Sequence, residues 1–146
     1  MSGKVNPYAR RQARRAALQA IYQWQMTQAD RPQLIREFEE SGSLDKADRE
    51  FFCEALSKVL HDTAALDSAF VGYLDRELKS LDQVELAVLR LGAHELLNRI
   101  DVPFRVVIDE YVELAKRFGA EESHKYINGV LDKVAADTRT AEVLAR

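Results

Sequence analysis

Four arginines, Arg10, Arg11, Arg14 and Arg15, fall within six consecutive positions of a 146-residue chain, and Lys4 lies just before them. Guanidinium groups bind phosphate oxygens in pairs and stack on flat bases. Tyr8 and Tyr22 bracket the cluster with aromatic surface. No acid precedes Asp30, so residues 1–29 carry +5 and the remainder −8, within a net charge of −3. A structural charged helix face usually interleaves both signs at i+3 or i+4, and this one has no acid at those spacings. Unopposed positive charge on a chain that is otherwise acidic points to a local anion-binding surface, with RNA as the economical ligand and a merely solvated helix face as the alternative.

Other chemistry finds little support. His61, His94 and His124 are scattered singly, with neither HExxH nor paired spacing on one helix, so no metal site is expected. There is no Walker loop and no GxGxxG to cradle a nucleotide, and no cofactor is expected. Cys53 is the single cysteine, flanked by apolar residues as a buried thiol would be. Asp109, Glu110 and Glu113 lie opposite an apolar helix face and are expected to be solvated. No catalytic constellation emerges. The chain shows neither a signal-peptide pattern nor an apolar stretch long enough to span a bilayer, which makes a cytoplasmic protein without membrane contact the expectation.

The elements that position these residues are helical throughout. Asn6-Pro7 starts a helix running to about Gln28, with Ala13, Ala17, Ala20, Ile21 and Trp24 on its core face. The arginines occupy an adjoining arc, which Leu18 and Tyr22 continue. Pro32 opens a second helix with Leu34, Ile35 and Phe38 inward. A third carries Phe52, Ala55, Leu56, Val59 and Leu60. After a break at His61-Asp62-Thr63, Leu66, Phe70, Tyr73 and Leu74 form another stripe. Ser80 and Gln83 have the spacing of a capping box for a central helix, VELAVLRLGAHELL, apolar on more than half its circumference. Phe104, Val107, Ile108, Tyr111, Ala115 and Phe118 make the next face, stopped by Gly119. A last helix begins near Ala120, with Ile127, Val130, Leu131 and Val134 inward. Gly129 in its interior implies a close helix crossing. The fold class is all-α, with about seven helices and no strand. One domain spans 1–146, as an N-terminal bundle of about residues 6–62, a C-terminal bundle of about 63–137 and a short tail, 138–146.

Three stretches together, YARRQARRAALQAIYQWQ, SLDQVELAVLRLGAHELL and DVPFRVVIDEYVELAKRFGAEESHKYINGVLDKVA, resemble the NusB family of bacterial transcription antitermination factors. The resemblance runs from about Tyr8 to Ala135 and rests on helical pattern alone between about Asp30 and Lys79. It implies two small packed helical bundles and no catalysed reaction. It further implies binding to single-stranded boxA RNA together with the ribosomal small-subunit protein NusE, and assembly with other Nus factors on RNA polymerase, notably at ribosomal RNA operons. The family's arginine motif falls on Arg10, Arg11 and Arg14, its RNA-proximal aromatics on Tyr22 and Phe118, and the second part of its RNA surface on Glu121, Glu122, Ser123, Lys125 and Asn128. Gln12 stands where relatives are often basic, Arg15 adds a charge nearby, and Glu122 replaces a shorter Asp. Exposed acids around Glu85 and Glu113 are expected to receive the basic partner.

Two other readings stay open. The same helical module resembles the N-terminal RNA-binding domain of ribosomal RNA cytosine methyltransferases, which also need a separate α/β domain. A homodimer that buries the basic helix is the other.

Overall fold

The computed structural model describes residues 5–145, among which there are eight α-helices, two short 3-10 turns and no strand. Helix α1, Pro7–Thr27, starts as the sequence predicts: Pro7 sits in its first turn and Asn6 Oδ1 accepts from the Ala9 amide at 3.0 Å. It ends where Gln28 turns left-handed at φ 60°. Helices α2, Arg31–Glu40, and α3, Arg49–His61, are capped by Asp30 and Asp48 through the same side-chain acceptance. Asp62 separates α3 from α4, Thr63–Phe70, at the break expected from the sequence. The turns Val71–Tyr73 and Leu78–Ser80 lead to α5, Gln83–Asn98. Then come α6, Phe104–Phe118, α7, Ser123–Thr138, and α8, Thr140–Ala145.

Helices α1, α2 and α3 pack on one another, while α4, α5 and α7 do the same and α6 adds to α5 and α7. The two groups meet where α1 and α3 lie against α5, and their buried side chains form one continuous cluster. Phe52, Phe70, Ile21, Leu34, Leu56 and Tyr111 are fully buried in it. Helix α5 touches α1, α3, α4, α6 and α7, so it is apolar nearly all round; each of its fully buried leucines, Leu89, Leu91 and Leu96, contributes about 1.5–3 kcal/mol.

Polar side chains also enter this core, always in company. Glu85 accepts from Ser123 Oγ on α7 at 2.8 Å. Arg90 donates to both carboxylate oxygens of Asp67 on α4, at 2.8 and 2.9 Å, and to Gln25 on α1 at 3.2 Å. Glu95 receives Arg14 from α1 and the Tyr111 hydroxyl from α6.

Four expectations change. The capping box at the start of α5 is Asp82 with Glu85, two residues further along than Ser80 with Gln83, because Ser80 belongs to the preceding 3-10 turn. Gly129 faces open space; the glycine at a close crossing is Gly92 on α5, where a Cβ would stand 2.9 Å from Leu131 Cδ2. Helix α7 begins at Ser123 and not near Ala120, since Glu122 turns left-handed at φ 69°. The segment expected as a tail contains α8, and its Arg139 is buried. That guanidinium donates to the carbonyls of Glu95, Leu96, Arg99 and Val102 and to Glu142, while Glu142 accepts from the Phe104 amide. One ion pair thereby satisfies the last carbonyls of α5 and a first amide of α6.

Candidate nucleic-acid interface

Lys4 lies outside the described residues. The four arginines of α1 are distributed among quite different surroundings. Arg10 lies against the Phe51 ring and pairs with Asp101 at 3.2 Å and Asp48 at 3.8 Å. Arg11 is exposed, yet it donates twice to Glu110, at 3.1 and 3.0 Å. Arg14 is only 3% exposed and grips the wholly buried Glu95 with two bonds of 2.7 and 3.0 Å. The Tyr111 hydroxyl donates to the same carboxylate at 2.6 Å. Burial works against the Arg14 charge, but hydrogen bonding to Glu95 and its negative field outweigh it, so the pKa rises and the guanidinium keeps its charge. Burial, followed by the Glu95 charge, raises the Tyr111 phenol and keeps it a donor. Arg15 alone has no carboxylate within ion-pair reach among the described residues; its guanidinium lies 5.4 Å from the Phe118 ring centroid.

The expectation of an uncompensated arginine face therefore needs correction. Acids do oppose Arg10, Arg11 and Arg14, and they come from α5, α6 and the loops between helices, not from α1 itself. Arg14 is a core residue with no surface to offer RNA. Glu110, expected to be solvated, is mostly covered because it serves Arg11 and also lies 3.7 Å from Arg14.

What remains exposed converges on Phe118. Tyr22, Phe118, Leu18, Gln19 and Val84 line an apolar notch of about 230 Å³. Tyr22 is 40% exposed, a large aromatic face offered to solvent. Beside it, Arg11, Gln12, Arg15, Glu110, Glu113, Leu114, Lys116 and Arg117 line a groove of about 550 Å³ between α1 and α6. Cation, aromatic face and groove are the three parts that a base and its phosphate require.

Of the second predicted segment, Glu121, Glu122, Lys125 and Asn128 are exposed, and Lys125 pairs with Glu122 at 2.7 Å. Ser123 is buried, its hydroxyl committed to Glu85. That bond also removes Glu85 from the set of exposed acids: it is 7% exposed, with one oxygen on Ser123 and the other on the Asp82 amide. Glu113 is exposed as expected, 3.5 Å from Lys116 and within the α1–α6 groove. Arg117 was not singled out from the sequence; the only signal was its place in the KRF triplet beside Phe118.

Among the described residues, no group of three or more His, Cys, Asp or Glu could hold a metal ion, and no helix is long and apolar enough to cross a membrane.

The NusB family profile matches residues 11–136. The chain belongs to the NusB family. The transcription antitermination protein NusB of Alcanivorax borkumensis is 51% identical over 146 residues, covering all of this chain and 97% of its own. That of Teredinibacter turnerae is 50% identical over 140 residues, 95% of each chain. Among solved structures, T. maritima NusB superposes with a TM-score of 0.81 at 30% identity, over 97% of this chain and 99% of its own. A second NusB, crystallised with NusE and double-stranded RNA, gives 0.79 at 25% identity over 87% and 96%. Membership places the chain among transcription antitermination proteins and not among enzymes.

Proposed function

We propose that this NusB-family chain binds boxA RNA together with NusE in the bacterial cytoplasm, and with other Nus factors on RNA polymerase suppresses premature termination, notably in ribosomal RNA operons. The supporting observation is the structural match to a NusB crystallised with NusE and RNA, over 87% of this chain. The notch around Tyr22 and Phe118 favours a single strand, because its aromatic faces are useful only to bases freed from pairing. The relative's RNA is double-stranded, and a duplex is the second reading that this observation supports.

Three of the four arginines of α1 are already paired with the chain's own acids, so the RNA affinity of the isolated chain should be weak. NusE supplies additional contacts, with exposed Glu113 a candidate for meeting a basic partner. The expected coupling is about 1–3 kcal/mol, and by linkage RNA must tighten the protein pair by the same factor. Calorimetry of both binding steps checks this, using single-stranded boxA RNA with its duplex as competitor. Equal RNA affinity with and without NusE defeats the assignment, and preference for the duplex selects the second reading. Sedimentation of the free chain decides whether a homodimer competes for the same surface.

A further inference from the structure

We propose that Arg117, at the end of α6, is an RNA-contacting residue that works with Arg15 on either flank of the α1–α6 groove, the two neutralising successive phosphates while a base stacks at Phe118; this rests on the RNA-binding reading above. Both guanidiniums approach the same ring, Arg15 at 5.4 Å and Arg117 at 5.7 Å from its centroid. Both line the same groove. Among the described residues neither has a carboxylate within ion-pair distance, which distinguishes them from Arg10, Arg11 and Arg14. Lys116, the neighbouring cation, is held by Glu113.

The acids of the groove narrow the path. Glu110 and Glu113 line it too and repel a phosphate, while Glu110 already holds Arg11. A strand that avoids both acids must pass near Phe118, where Arg15 and Arg117 face it and the apolar notch opens next to the ring. Phosphate therefore meets α1 and α6 together, and the base faces the notch. No residue of α6 before Phe118 figures in the RNA surface expected from the sequence, so Arg117 extends that footprint from Phe118 into the α1–α6 groove.

A cation in the last turn of a helix also complements the helix dipole, which would explain Arg117 without any ligand. Salt dependence separates the two. Each phosphate contact on a single strand contributes about 0.7 to the slope of log affinity against log salt, and a residue that only stabilises the helix contributes nothing. The experiment measures binding of fluorescent single-stranded boxA RNA, with NusE present, across a salt series for the wild type, Arg15→Ala, Arg117→Ala, Arg117→Lys and Phe118→Leu. Thermal melts confirm that each variant is folded; Arg117 is exposed and Ala keeps the helix. Arg117→Ala should bind several-fold more weakly with a slope smaller by about 0.7, Arg117→Lys should restore the slope, and Phe118→Leu should lose affinity at unchanged slope. A normal slope in Arg117→Ala alongside a reduced one in Arg15→Ala overturns this proposal and leaves RNA binding standing. Absence of RNA binding by the wild type overturns the functional reading itself.

Discussion

His94 lies in the middle of α5, 1% exposed, with Nδ1 3.1 Å from the Asn98 amide nitrogen and Nε2 3.9 Å from a Glu54 oxygen. Burial lowers its pKa, and the nearby Arg99 and Lys58 add to that, against the opposing fields of Glu95 and Glu54. The folded protein thus binds this proton less readily than the unfolded chain. Stability contributed here is present above the unfolded value of about 6.5 and is lost as pH falls toward the depressed folded value. Urea unfolding at about pH 7.5 and about pH 5.5 should show the loss, and His94→Gln should flatten it; an equal slope in the variant refutes the assignment. The arginines teach a related lesson. Their type and clustering were legible in the sequence, but their partners were not, since Glu95 and Glu110 lie 81 and 99 residues further along the chain. A rule about i+3 and i+4 neighbours sees only one helix, and burial of Arg14 depends on three. Glu85 misled for the same reason, its partner Ser123 being 38 residues away.

At the scale of elements, most of the fold was legible because apolar side chains repeat with helical period and the caps are local: Asn6, Asp30 and Asp48 each close their helix within three residues. Short pieces escaped. Helix α8 has only six residues and is held by Arg139 and Glu142, whose partners belong to distant turns, so its own pattern carries no periodic signal. The two helical glycines separate propensity from packing. A methyl group at Gly92 would press into Leu131, whereas one at Gly129 would meet nothing within 4 Å. Gly129→Ala should therefore stabilise the protein by about 0.5–1 kcal/mol through helix propensity and reduced unfolded-state entropy. A higher denaturation midpoint at unchanged denaturant slope is the expected result, and a lower midpoint would show that the backbone there needs glycine.

At the scale of the whole molecule, Glu85, Arg90 and Glu95 follow one another at intervals of five residues along α5. Five residues turn a helix by about 140° and advance it by about 7.5 Å, so the three charges leave the axis at different heights and in different directions. Each finds a partner on a different combination of helices: Ser123 on α7, Asp67 on α4 with Gln25 on α1, and Arg14 on α1 with Tyr111 on α6. Losing one half of the last set is costly: Arg14→Ala strands the Glu95 carboxylate and should destabilise by about 3–5 kcal/mol in urea unfolding. Replacing the set together, with Arg14→Met, Glu95→Leu and Tyr111→Phe, should restore most of that stability. What it should not restore is a single arrangement, and broadened amide resonances with faster hydrogen exchange along α1 and α6 are the expected signs; sharp, wild-type-like spectra would refute this. Apolar surfaces accept many rotations and slips of a helix at similar energy, and three charges spaced around one axis accept a single setting. The central helix therefore works as a combination lock, its interior charges encoding an angle and a depth that greasy contact alone leaves ambiguous.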